Sequence, residues 1–251
     1  MEEVTTPLYL NWSFWAVVVA AIAVFLSQLP PVLLWFKRAK LEIELYSKIS
    51  ITHKVGNPNL QLHLIINNIG GRKIRIKNIT ANIERDGDLV ATLPAQNYLQ
   101  DQNNPNTLLF TTFSLKPAEE WAHIINFLNF FNRNDENEYR RLEAGMQADF
   151  REKKVALDEE PKNPIEINEA LVQPFHEFFN RHFIWDSGEY QLTVNVTTDQ
   201  EKANISKTYR FTVFESHTEL LKAITEQFKY GGGIWWDPNI PVSVILEIKE
   251  A

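Results

Sequence analysis

The stretch from Leu8 to Phe36 carries no charged side chain, and it constrains the fold more than any other part of the chain. A helix that crosses the hydrocarbon layer of a membrane needs about 20 mainly apolar residues. The stretch exceeds that length even if the helix ends before Pro30 and Pro31, since proline interrupts a helix. The sequence therefore predicts a transmembrane helix with an interfacial segment over residues 8–36.

The charges on either side of this stretch predict its orientation. Two acids precede it and three bases follow it: Glu2 and Glu3, then Lys37, Arg38 and Lys40. Basic residues beside a membrane helix stay on the cytoplasmic side, where they contact anionic lipid headgroups. We expect a single-pass cell-membrane protein, with residues 1–7 outside and the C-terminal part in the cytoplasm. A secretory signal peptide is the alternative, but its first residues would be basic rather than acidic.

Small side chains recur every three or four residues inside the apolar stretch. They are Ser13, Ala16, Ala20, Ala23 and Ser27. On a helix this spacing places them on one stripe, and small residues let two membrane helices approach closely. We expect the stripe to pack against another protein subunit or a second copy of this chain. The alternative is that small residues are merely tolerated there.

The composition excludes several classes of function. The chain has no cysteine, which excludes disulfides and thiolate chemistry and fits a bacterial cytoplasmic domain. The net charge of -7 disfavours nucleic acid as a partner, because binding to phosphates needs a basic surface.

Residues 41–116 alternate between apolar and polar side chains, which is typical of half-buried strands. Turn sequences separate the alternating runs, at Gly56-Asn57-Pro58, Gly70-Gly71 and Asp86-Gly87. Short strands joined by tight turns favour an antiparallel β-sandwich, of which this region would form the first part.

Residues 117–184 change to a helical pattern. Pro117 and two glutamates open a run in which Trp121, Ile124 and Leu128 share one helical face. A charge-dense helix and an aromatic helix from Ile165 to Phe183 follow. We interpret the region as a helical insertion into the sandwich.

Residues 185–251 return to strands and contain one recognisable corner. The residues from Asp186 to Tyr190, with Gly188 between them, resemble the D-x-G-x-Y-x-C corner of immunoglobulin-like domains, with Leu192 at the cysteine position. The resemblance implies a sandwich in which the tyrosine hydroxyl bonds to backbone upstream. The predicted fold class is therefore mainly β with an α insertion: an N-terminal transmembrane helix, then an antiparallel immunoglobulin-like sandwich.

Trp235 and Trp236 follow three glycines near the C-terminus. Aromatic side chains of this kind are common hot spots for binding a partner. The alternative is that they fill a gap in the core.

No motif in the sequence specifies a catalytic, cofactor or metal site. His176 and His182 are six residues apart, whereas a zinc-binding H-E-x-x-H helix places its histidines four apart. Gly231 to Gly233 lack the Lys-Ser/Thr that completes a phosphate-binding loop.

We expect a non-enzymatic, membrane-anchored binding or assembly subunit that works through protein–protein contacts at the cytoplasmic membrane face. Its partners would be membrane lipids and other protein subunits, including itself. The alternative is a membrane-perturbing effector whose transmembrane helices oligomerise on a signal.

Overall fold

The computed structural model describes residues 12–28, 38–101, 104–156, 164–235 and 243–251. The helices are α1 (Trp12–Gln28), α2 (Arg133–Val155), α3 (Glu169–His182) and α4 (Glu215–Lys222). The strands are β1 (Leu41–Lys54), β2 (Asn57–Asn68), β3 (Ile74–Arg85), β4 (Asp88–Asp101), β5 (Asn104–Leu109), β6 (Phe113–Leu115), β7 (Glu120–Leu128), β8 (Gly188–Thr198), β9 (Ile205–Val213), β10 (Val244–Glu247) and β11 (Lys249–Glu250). Two 3-10 helices cover Glu201–Ala203 and Ala223–Tyr230.

The strands form where apolar and polar residues alternate. In β2, for example, Leu60, Leu62 and Leu64 are buried while the residues between them are half-buried, because successive side chains of a strand point to opposite faces. The first alternating residues of the predicted sandwich lie in one long strand, β1, with an irregularity between Leu45 and Ile49.

All the strands pair in one antiparallel sheet. Its order is β10-β1-β2-β7-β4-β3-β8-β9-β11, with β5 paired to β4 and β6 paired to β3. The long strand β4 holds the two halves together, because Thr80 of β3 pairs with Pro94 and Phe127 of β7 pairs with the next residue, Ala95.

The C-terminal residues bring the two ends of the sheet together. β10 pairs with β1 through Glu247 and Lys48, and β11 pairs with β9 through Lys249 and Arg210. Only Ile248 separates β10 from β11, and its N–H donates to the Ser47 carbonyl. The sheet is therefore nearly closed.

The predicted immunoglobulin-like sandwich is wrong as a fold class. A sandwich has two separate sheets, whereas β4 here pairs with strands of both halves and the C-terminal strands join the two ends. The corner at Tyr190 nevertheless has the hydrogen bond that the resemblance implied. Its hydroxyl lies 2.7 Å from the carbonyl oxygens of both Ile184 and Asp186.

The predicted transmembrane helix and the single-pass location in the cell membrane are also wrong. Within the described ranges, no helix combines the length and apolar character needed to cross a membrane. The described part of α1 has 17 residues, whereas a helix that crosses a membrane needs about 20. Residues 1–11 and 29–37, which include the predicted tail and interfacial segment, lie outside the described residues.

The segment around Trp121 is a strand rather than the predicted helix. As β7 it lies between β2 and β4 and buries Ile125 and Phe127 between less buried neighbours. Its apolar residues fit both a helical and an alternating pattern, and pairing with two neighbouring strands decides between them. The charge-dense and aromatic helices are confirmed as α2 and α3.

An aromatic core joins these helices to the sheet. Four phenylalanine side chains are almost completely buried between α3, the 3-10 helix Ala223–Tyr230 and the β1–β2 turn: Phe175, Phe178, Phe179 and Phe228. The turn itself has positive φ at Val55 and Gly56. A Cβ at Gly56 would lie 2.5 Å from the Phe179 carbonyl oxygen, so only glycine lets the turn contact α3.

Candidate functional site

A cavity of about 510 Å³ opens where the β1–β2 turn, α2 and the glycine-rich segment after the 3-10 helix meet. We call it the Trp235 cavity. Its apolar walls include Val55, Tyr139, Ile224, Phe228, Ile234 and Trp235. Its polar lining includes Lys54, Asn59 and Glu143. An apolar cavity with a few polar groups is the usual form of a binding site.

The glycines bring Trp235 to the rim of the cavity. Gly231 ends the 3-10 helix in the left-handed conformation, with φ of 92°. A Cβ at Gly231 would lie 2.3 Å from the Trp235 ring. The absence of a side chain therefore allows the indole to lie directly against the backbone.

Trp235 is 41% exposed and contacts the Phe150 ring at a centroid distance of 4.8 Å. It is neither a buried core residue nor fully free of packing. The predicted partner-binding role of Trp235 therefore remains a prediction, now placed at a cavity rim. Trp236 lies outside the described residues.

Tyr139 and Glu143 lie four residues apart on α2 and so share one helical face. The Tyr139 hydroxyl donates to the Glu143 carboxylate at 3.1 Å. Burial, together with the charge of Glu143, raises the pKa of Tyr139 well above its ordinary value. The phenol therefore stays protonated and acts as a donor.

Lys54 contributes the positive charge of the cavity. Its ammonium lies 5.2 Å from the centre of the Tyr139 ring, a distance at which a cation is attracted to an aromatic face. Lys54 is exposed, and no ion pair joins it to a carboxylate in the described part of the chain.

His53 lines the same cavity, but both of its ring nitrogens are engaged. Nδ1 accepts from the Gly56 N–H at 3.2 Å, so the proton is on Nε2, which donates to the Leu221 carbonyl at 2.9 Å. Burial lowers the pKa of His53, and the Leu221 bond offsets this only in part. The imidazole is neutral and fixes the β1–β2 turn to α4.

Asn59 carries a buried acceptor that lacks a partner. Among the described residues, its side-chain Oδ1 has no hydrogen bond, although water cannot reach the atom. Leaving a buried polar atom unpaired costs about 1–3 kcal/mol. Because water cannot reach Oδ1, a bound molecule cannot reach it either, so the unpaired atom is a cost within the fold.

A second groove of about 640 Å³ lies between α3 and the 3-10 helix. Three glutamates line it: Glu166, Glu169 and Glu226. Although larger, this groove is a weaker candidate than the Trp235 cavity, because acids on a surface are usually solvated charges.

The other predicted site residues lie away from the cavity. Ser13, Ala16, Ala20, Ala23 and Ser27 lie on α1 and are exposed. Arg38 and Lys40 precede β1, where their carbonyls accept from Gly71 and Gly70. Lys37 lies outside the described residues. The predicted contact of these bases with lipid headgroups rested on the transmembrane helix.

The sequence reasoning missed Lys54, Asn59, Tyr139 and Glu143. The spacing of Tyr139 and Glu143 on a charge-dense helix was a usable signal, whereas Asn59 directly follows the predicted turn at Gly56-Asn57-Pro58 and carries no motif. Within the described ranges, no group of three or more histidines and acids could hold a metal ion.

The comparisons with known proteins identify no family for this chain. No family model and no curated protein match the chain. Among solved structures, a protein from Archaeoglobus fulgidus is similar over 70% of this chain and 94% of its own, with 8% identity and a TM-score of 0.25. A TM-score this low carries no argument about fold or function.

Proposed function

We propose that the chain is a non-enzymatic binding or assembly subunit that contacts a partner protein at the Trp235 cavity. One observation carries the proposal: the half-exposed Trp235 indole stands at the rim of a cavity of about 510 Å³ with mainly apolar walls. Aromatic residues at such positions supply most of the free energy of many protein–protein contacts.

Two titratable groups of the cavity, His53 and Tyr139, are engaged within the fold and offer no general base. A general base needs a free nitrogen or oxygen aimed at the substrate. His53 uses both nitrogens within the fold, and the Tyr139 proton is held by the Glu143 carboxylate.

Helix α1 supports the assembly part of the proposal. Every residue from Trp12 to Ser27 except Val18 is exposed, and none of them is charged. A helix that is apolar on all faces is normally buried. We propose that another subunit or a second copy of the chain covers it.

The test compares proteins retained by the tagged full-length chain with those retained by two variants. Trp235→Ala removes the rim indole, and loss of a binding hot spot of about 2 kcal/mol lowers affinity roughly 30-fold. Leu109→Ala is the control, since Leu109 is 77% exposed on β5. We expect partners that the control retains and Trp235→Ala loses. An identical set from all three proteins would refute the proposal.

A further inference from the structure

The outer edge of β5 is a strand edge that no other strand covers in the described part of the chain. β5 pairs with β4 alone, whereas β10 and β11 cover the edges of β1 and β9. No charged residue occurs from Gln102 to Leu115, although 23% of all residues are charged. Soluble proteins usually place charges on an uncovered edge, because its N–H and C=O groups can pair with another chain. The lack of charge therefore favours β5 as a contact surface.

Two leucines of β5 are exposed to solvent. Leu108 is 42% exposed and Leu109 is 77% exposed. Leu108 pairs with Tyr98 of β4, so the two side chains lie on the same face of the sheet. On that face the Tyr98 ring contacts the Trp121 ring at a centroid distance of 5.5 Å. Leu108 thus extends an apolar face to the edge of the sheet, where an added strand would cover it.

The hydrogen bonding of β5 shows which backbone groups point away from β4. The Phe110 N–H donates to the Gln96 carbonyl at 2.8 Å, and the backbone groups of successive residues in a strand point to opposite sides. Phe110 and Leu108 therefore bond toward β4, whereas Thr107 and Leu109 present their N–H and C=O groups outward. A register shift in the β4–β5 pair ends the regular strand at Thr107.

We propose that β5 pairs with β5 of a second copy of this chain, antiparallel and about a two-fold axis at Leu108. Thr107 then pairs with Leu109 of the second copy and Leu109 with its Thr107, which uses the outward N–H and C=O groups of both residues. The two Leu108 side chains face each other directly across the axis. No like charges oppose the pairing, because neither strand is charged. The two-fold axis closes the contact at a dimer.

This contact goes beyond the proposed function and does not involve the Trp235 cavity. Leu109 contributes its backbone groups to the contact, and Leu109→Ala keeps them. That variant therefore remains a valid control in the retention experiment.

Disulfide cross-linking of the full-length chain tests the contact, because the chain has no cysteine of its own. In Leu108→Cys the two cysteines form a non-hydrogen-bonded pair with Cα atoms about 4.5 Å apart, which a disulfide can bridge. Leu109→Cys is the matched control, since its two cysteines would be about 8 Å apart, beyond the roughly 7 Å limit. After mild oxidation, a non-reducing gel should show mainly dimer for Leu108→Cys and mainly monomer for Leu109→Cys. Random collision would give the opposite order, because Leu109 is the more exposed residue.

A second change tests the backbone pairing. Thr107→Pro, added to the Leu108→Cys chain, removes an outward N–H and no hydrogen bond to β4. It should therefore reduce the yield of dimer. Thr111→Pro is the matched control, since Thr111 is exposed and lies outside β5. Thermal unfolding confirms that each variant is folded.

Three results would overturn the inference: folded Leu108→Cys stays monomeric, Leu109→Cys links as readily, or Thr107→Pro leaves the yield of dimer unchanged. None of these variants alters Trp235 or α1. Such a result would leave the proposed function standing, and the retention experiment tests that function separately.

Discussion

At the scale of single residues, the cavity depends on groups whose conformation or charge is fixed by near neighbours. Gly231 has a positive φ and lies under the Trp235 ring, whereas Gly87 has a positive φ with open space around it. The two glycines separate the cost of backbone conformation from the cost of a close contact. Likewise, burial keeps His53 neutral, so the free energy of unfolding depends on pH.

We predict that Gly231→Ala destabilises the protein and displaces Trp235, whereas Gly87→Ala only destabilises it. A left-handed backbone costs an L-residue about 1–2 kcal/mol at either position, but only at Gly231 does the new Cβ overlap the indole, at 2.3 Å. Urea unfolding measures the first effect, and retention of the partner proteins that Trp235→Ala loses measures the second. Equal retention of those partners by the two variants would contradict the prediction.

We predict that the free energy of unfolding decreases as the pH falls below about 6.5, the ordinary pKa of histidine. Burial lowers the pKa of His53 in the folded state. Between the folded and unfolded pKa values, the unfolded chain therefore binds a proton that the folded chain does not bind. The stabilisation is complete above the unfolded pKa and decreases by up to about 1.4 kcal/mol per pH unit below it. Burial also lowers the pKa of His123 and His176, which add to the slope.

Urea unfolding at several values from about pH 7 to about pH 5 measures this slope. His53→Asn should flatten it more than His176→Asn, because His53 is far more buried. If the slope of His53→Asn equals that of the wild type, the assignment to His53 is wrong.

At the scale of elements, local patterns predicted some strands and helices and failed where tertiary pairing decides. β2 and α3 follow from their periodicity, and Asp86-Gly87 forms the β3–β4 turn with positive φ at both residues. β7 could not be assigned because its apolar spacing fits both a helix and a strand. The Trp235 cavity could not be predicted either, since Lys54, Tyr139 and Trp235 come together only through the fold.

Helix α1 carries a prediction at this scale. If the small stripe packs against a second copy, Ala20→Ile should reduce self-association, because the larger side chain holds the helices apart. Val19→Ile is the control, since Val19 is exposed and off the stripe. Sedimentation velocity of the full-length chain measures association. Equal association of both variants would show that the stripe is not the contact.

At the scale of the whole molecule, the C-terminal strands hold the ends of the sheet together. β10 and β11 cover the outer edges of β1 and β9, and an uncovered edge can pair with another chain. The segment also buries three of its own aliphatic side chains, those of Val244, Leu246 and Ile248. Its contribution is therefore to both stability and protection from aggregation.

We predict that a chain ending at Ser243 loses at least about 4 kcal/mol of unfolding free energy, since three buried aliphatic side chains contribute about 1.5–3 kcal/mol each. It should also aggregate, because both sheet edges are bare. A chain ending at Ile248 keeps β10 and should be intermediate in both unfolding free energy and aggregation. Urea unfolding and light scattering measure the two effects. Wild-type behaviour of the shorter chain would contradict this role.

The pairing of Lys48 with Glu247 joins residues about 200 positions apart. At ribosomal rates of about 5–20 residues per second, β10 is synthesised roughly 10–40 s after β1. During that interval the nascent chain exposes an unpaired strand, so its yield in cells should depend on chaperone supply.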